Sequence, residues 1–166
     1  MTDQIIIADA GPLIAFGRIK RLVLLKKLFG KVIAPSAVIN ECLSDITRPG
    51  GKEILDAIHK QLITPNDNSE INHHQSLIDI LGLGEAHAII LATQLNARLL
   101  MDDKLGRQTA EKMNLRIIGT AGVLILAKKK NLILKIAPLI KELKNAGYYL
   151  SNELIKKILI IAGEKI

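Results

Sequence analysis

Five short aliphatic runs, each cut off by a turn or helix-start signal, alternate along this chain with segments of helical period. The runs cover residues 5–8, 31–34, 62–64, 98–101 and 116–118. Pro35 and Pro65 stop the second and third, Asp102 follows the fourth and Gly119 the fifth. Runs this brief and rich in Ile, Leu and Val read as strands. Between them, residues 19–29, 35–43, 53–59, 85–96 and 104–113 place their apolar residues at helical spacing. Strands separated by helices need crossover connections, so the expected sheet is parallel with helices packed on it.

From Gly122 onward the pattern is wholly helical. Pro138 can open one helix there, because proline suits a first turn, and Ser151 can cap the last. The polar stretch 65–76 (PNDNSEINHHQS) reads as a loop. No internal repeat or low-complexity linker divides the chain. One domain over residues 1–166 is expected, with a core of about 4–127 and C-terminal helices over about 128–166.

Composition matters in three ways. Hydrophobic residues make up 49% of the chain and aromatics only 2%, so the core must be built from Ile, Leu, Val and Ala. A net charge of +7 draws polyanions such as phosphate backbones, although charge alone does not establish nucleic-acid binding. Cys42 is the single cysteine, which excludes an intrachain disulfide and fits a reducing compartment. No signal-peptide pattern and no membrane-length apolar run is visible; the longest candidate, 121–127, ends in Lys128, Lys129 and Lys130. A soluble cytoplasmic protein with no membrane partner is the expectation.

The acids are informative through their positions. Asp9 follows the run IIIA, and Asp102 and Asp103 follow RLLM, so both groups sit at carboxyl ends of expected parallel strands. Ligand sites of open α/β sheets form at that edge, especially where strand order reverses. Adjacent strands lie about 4.8 Å apart, so carboxylates at their ends can share one hard cation. Glu41 ends APSAVINE, and Glu85 lies in the first turn of LGLGEAHA; either can project over the same edge. Each acid also has an ordinary reading. Asp9 reads as a surface turn residue before Gly11-Pro12, and Asp102 and Asp103 as helix caps. Glu85 reads as favourable charge at a helix start, and Glu41 as part of a solvated face.

At these residues the chain resembles a PIN-domain protein. IIIADAGPLIAF is similar to the opening strand of that family, APSAVINE to the segment bearing its Glu, LGLGEAHAIILA to the helix start with its third acid, and ARLLMDDKLGR to its fourth acidic position. The likeness runs from Ile5 to about Ala127, and GTAGVLILAKKK and YYLSNELIKKILIIAGE resemble one prokaryotic branch of the family. It implies a three-layer α/β/α sandwich with a mainly parallel five-stranded sheet in the order 3-2-1-4-5, followed by a helical C-terminal tail. It also implies a ribonuclease that cuts single-stranded RNA by metal-activated water, with Mg²⁺ or Mn²⁺ as cofactor. Many members are toxins held by an antitoxin protein, and dimers are common, so an antitoxin and a homodimer are the implied protein partners.

The resemblance carries catalytic roles onto Asp9, Glu41, Glu85 and Asp103. Asp9 and Asp103 become direct metal ligands, and Glu41 and Glu85 act through water or orient it. Glu85 and Asp102 complete the candidate metal set, with Asp103 the better match to the fourth acid and Asp102 its assisting neighbour. Lys104 and Arg107 are candidate RNA-phosphate contacts or simply solvated helix charge. Many family members carry a hydroxyl just after the first Asp; here Ala10 and Gly11 follow instead, which removes one possible outer hydrogen bond. A non-catalytic PIN-like module that binds RNA or protein therefore stays as the alternative.

Other constellations are weaker. Glu70, His73 and His74 imitate metal-ligand spacing, but adjacent histidines point apart on a helix. Cys42 beside Glu41 reads as a small core residue, His59 and His87 as surface or boundary residues, and Ser151 has no His/Asp partner by spacing. Packing is the expected role of Tyr148 and Tyr149, with base stacking as the alternative. A haloacid-dehalogenase-type phosphatase needs a second Asp two residues after the first, and a response-regulator receiver needs its acidic pair early; neither pattern is present. Phosphate-loop and dinucleotide glycine motifs are missing too.

Overall fold

All five aliphatic runs pair edge to edge in the computed structural model, which describes residues 4–67 and 74–166. The strands are β1 (Ile5–Ala8), β2 (Lys31–Pro35), β3 (Thr64–Asn66), β4 (Arg98–Leu100) and β5 (Ile117–Ile118). They form one sheet in the order β3-β2-β1-β4-β5. Every pairing is parallel, with Ile6 opposite Val32 and Arg98, and Leu100 opposite Ile118. The winding reverses between β1 and β4, as expected.

Among the described residues ten helices flank the sheet: α1 (Ala10–Arg18), α2 (Leu22–Phe29), α3 (Ser36–Leu43), α4 (Gly51–His59), α5 (Gln75–Leu81), α6 (Leu83–Gln94), α7 (Lys104–Lys112), α8 (Thr120–Lys129), α9 (Ala137–Asn145) and α10 (Asn152–Ile161). The result is the α/β/α sandwich. Helix α6 packs on β1, β2 and β4 and is nearly all small or aliphatic where it does so; Ala86, Ala88, Ile89, Leu91 and Ala92 are buried. Central strands are buried on both faces, and Ile6, Ile7 and Ala8 are fully inaccessible. Among the described residues no helix is long and apolar enough to cross a membrane.

The structure corrects several boundaries. Residues 10–18, to which the sequence pattern assigns no element, form α1, and the expected helix over 19–29 shortens to α2. Pro12 is tolerated there because it lies in the first turn of α1, where a missing N–H costs nothing. Lys20, with φ of 58°, breaks the chain between the two helices. Strand β3 starts later than expected and runs through Pro65, which an edge strand tolerates. Helix α5 begins inside the stretch read as a loop, where Gln75 Nε2 donates to Asp79 Oδ1 at 2.8 Å, one turn on. Glu70 and His73 lie outside the described residues, and His74 is exposed.

The tail follows its local signals closely. Pro138 lies in the first turn of α9. Ser151 Oγ accepts from Leu154 N at 3.1 Å and caps α10. Glu164 closes the tail back on itself, accepting from Lys128 Nζ at 2.8 Å and from Ile136 N and Ala137 N at 2.6 and 3.0 Å.

Candidate active site

Asp9 is buried, at 4% exposure, and not the surface turn residue of its ordinary reading. Its backbone N–H extends the sheet by donating to Leu100 O at 2.9 Å, and the residue then caps α1 in an extended conformation. That pairing fixes the side chain at the switch point between β1 and β4. Its Oδ1 is buried with no hydrogen-bond partner. A buried carboxylate oxygen left unpaired is expensive and calls for a proton or a cation.

The other acids gather around it. Burial is the main cause that pushes the Asp9 carboxyl up to about 7; the Ala10 N–H pulls it down, and the charges of Glu85, Glu41 and Asp103 push it further up. Glu41 is raised as well, by partial burial first and by Glu85 second. The charges of carboxylates from α3, α6 and the β4–α7 junction thus act on Asp9 at the end of β1, and that of Glu85 acts on Glu41. Repulsion of this kind is what a divalent cation relieves.

Glycine makes this approach possible. A Cβ at Gly84 would fall 2.8 Å from Glu41 Oε2, so the Glu41 carboxylate rests over the bare first turn of α6. A Cβ at Gly82 would meet Glu85 Oε2 at 3.1 Å. Gly82 also turns the chain into α6 with φ of +96°, a conformation L side chains rarely adopt. The two glycines before Glu85 therefore clear the space that α3 and α6 share.

Asp102 and Asp103, adjacent in sequence, part company. Asp103 caps α7, its Oδ2 accepting from Gly106 N at 2.7 Å, which leaves Oδ1 for the cluster. Asp102 turns toward the C-terminal helices. Its Oδ1 accepts from Thr120 N at 2.7 Å, and its Oδ2 accepts from Thr120 Oγ1 at 2.6 Å and from the Tyr148 hydroxyl. Burial, followed by the Asp102 charge, raises the Tyr148 hydroxyl well above the usual tyrosine range and keeps it a donor. No local pattern signals this three-residue network, because Thr120 and Tyr148 lie 18 and 46 positions from Asp102.

Lys104 is exposed, and Arg107 Nη1 donates to Met101 O at 3.3 Å beneath the acidic edge. Neither forms a salt bridge among the described residues. Cys42 is buried, and its thiol is pushed up to about 12, chiefly by burial and then by Glu41 and Asp9, so it is an inert core group.

Among the described residues no three His, Cys, Asp or Glu side chains form a ready-made cage for an ion. A magnesium-type cation does not require one, since it keeps several waters and typically takes one or two carboxylates together with substrate phosphate. The orphaned Asp9 Oδ1, with three acids around it, fits such an open site.

Comparison with known proteins gives the family. The family model DUF3368, described as a PIN domain, matches residues 5–164. No protein of curated function matches the sequence. Among solved structures, a domain of a functionally unknown protein from Methanocaldococcus jannaschii DSM 2661 is 20% identical, over 70% of this chain and 90% of that one, at a TM-score of 0.45. The family match spans nearly the whole chain and includes every acid of the cluster, and the chain therefore belongs to the PIN-domain family, whose members are generally nucleases that use divalent metals.

Proposed function

We propose that this protein is a Mg²⁺- or Mn²⁺-dependent endoribonuclease that hydrolyses single-stranded RNA. The buried, unpartnered Asp9 oxygen, on which the charges of Glu85, Glu41 and Asp103 act, carries the reading. Asp9 and Asp103 are the direct ligands in this proposal. Glu85 serves as a further ligand or acts through water, and Glu41 orients water from across Gly84. When bound, the cation supplies a water of lowered pKa and neutralises charge developing on the phosphoryl oxygens.

The protein's own contribution is placement. Asp9 is held by sheet pairing and Asp103 by its cap on α7, so the ligands sit on rigid elements whose positions do not depend on a flexible loop. Asp102 steadies the β4–α7 junction through Thr120 and Tyr148, and we assign it as a positioning residue that supports its neighbour. Lys104 supplies an exposed cation for backbone phosphate. A toxin role, with an antitoxin protein as partner, and a homodimer extend the proposal; exposed Ile160 and Ile161 on α10 supply apolar surface for such contacts.

The test is cleavage of a mixed single-stranded RNA pool with Mn²⁺, Mg²⁺ or EDTA, beside Asp9→Asn and Asp103→Asn. Metal-dependent cleavage lost in both variants supports the reading. Equal cleavage by wild type and variants identifies a contaminant. No cleavage and no metal binding would favour a non-catalytic binding module, for which the absence of a hydroxyl at Ala10-Gly11 is the motivating feature.

A further inference from the structure

A groove of about 620 Å³ begins at Asp102, the chain neighbour of Asp103, and runs between α7, the end of β5, the start of α8 and the α9–α10 connection. Lys104, Arg107 and Glu111 of α7 line one side, and Tyr148, Tyr149 and Leu150 line the other. The chain has only four aromatic residues besides histidine. Phe16 and Phe29 are buried, and Tyr148 is committed to Asp102. Tyr149 alone stands out in solvent, at 86% exposure.

Its neighbours hold it there. The connection from Tyr148 to Leu150 alternates inward, outward, inward: Tyr148 is anchored on Asp102, Leu150 is buried, and Ser151 caps α10 immediately afterwards. The backbone carrying the ring is therefore fixed on both sides, so little ordering entropy remains to be lost when a flat partner settles on it. Tyr149 also lines a second hollow of about 320 Å³ with Lys144 and Asn152, so it forms a ridge between two recesses.

We propose that Tyr149 is a base-stacking residue and that the groove from Asp102 to Tyr149 carries single-stranded RNA to the acids, with Lys104 on a backbone phosphate. The inference rests on the nuclease reading for what happens at the acids, but the groove makes its own claim about binding. Stacking tolerates any base, because every base has a π face, and a neighbouring cation tracks the phosphates. Single-stranded nucleic acid is the substrate class that offers both chemistries at once; a duplex hides its base faces.

The experiment uses the full chain with Asp9→Asn, in magnesium, titrated into a short single-stranded RNA containing 2-aminopurine. Tyr149→Ala should weaken binding about tenfold and abolish the fluorescence change on stacking, while Tyr149→Phe stays within about twofold of the parent. Lys104→Ala should lower the salt slope of binding by about one unit. Because Tyr149 is outside the core, its removal leaves folding intact, which circular dichroism verifies. An alanine variant that binds as tightly as the parent, as expected if Tyr149 serves a protein partner, overturns the groove, and so does a parent that binds no RNA. Wild-type cleavage, measured separately, decides the nuclease reading. RNA that is cut but bound without Tyr149 removes the groove alone, whereas RNA bound through Tyr149 but never cut removes the nuclease alone.

Discussion

Asp9 and Asp102 end neighbouring strands of one sheet, yet the fold surrounds them in opposite ways. Asp102 receives three hydrogen bonds, two from Thr120 and one from Tyr148, so its charge is met by fixed donors. Asp9 is more deeply buried, has an oxygen with no donor, and faces three further negative groups. A carboxylate fully satisfied by its own protein has little left to offer a ligand and serves the structure. A buried carboxylate left unsatisfied weakens the empty fold and is tolerable where something else completes it. Under the proposed function, the contrast divides the acidic edge into a supporting half and a working half.

Asp9→Asn should test that division most severely. Cleavage is expected to fall by more than about 100-fold, beyond the range typical of outer-shell partners, measured as the initial rate on single-stranded RNA. Stability should move the other way. With its folded pKa raised from 3.8 to about 7, Asp9 stays protonated in the fold while it ionises in the unfolded chain, so metal-free stability falls as pH rises between those values. Thermal unfolding without metal should therefore show Asn at position 9 gaining up to a few kcal/mol above pH 7 and flattening the slope below it. A variant less stable than wild type at pH 8 would break the contrast.

Asp102→Ala should destabilise by about 3 kcal/mol, because Thr120 is buried and would lose acceptors for two donors. Denaturant titration reads this directly. If stability is unchanged while cleavage vanishes as in Asp9→Asn, Asp102 is a ligand and the division fails. Manganese at about 100 times its dissociation constant should add about 2.7 kcal/mol to the wild type and to Asp102→Asn, and much less to Asp9→Asn.

Smaller effects sharpen the picture. Gly84→Ala would push aside the Glu41 carboxylate, whose Oε2 lies where the new methyl must go. Since alanine favours a helix, stability should hold or rise slightly while the cleavage rate drops about tenfold. A rate loss matched by unfolding would assign Gly84 to packing instead. Tyr148→Phe should cost about 1 kcal/mol by leaving Asp102 one donor short, with a small loss of rate and no change in metal affinity. Calorimetry with manganese checks the last point.

Sequence by itself determined the parallel sheet and its helical cover, because short aliphatic runs alternating with helical period admit few other solutions. It also determined that Asp9, Asp102 and Asp103 end strands, since a charge directly after a buried run must fall at the run's end. Local chemistry was equally legible in the tail, where Pro138 and Ser151 act within one turn of themselves. The ordinary reading of Asp9 as a surface turn residue before Gly11-Pro12 does not hold, because proline suits a turn and a first helical turn alike and here opens α1. Only the tertiary structure decided which acids were left unpartnered. Asp102 meets Thr120 and Tyr148 across 18 and 46 residues, Glu41 reaches over Gly84 from another helix, and Asp9 is shut away by the sheet and helices packed around it. Burial and hydrogen-bond satisfaction depend on what packs against a residue from far along the chain, and no local pattern encodes that.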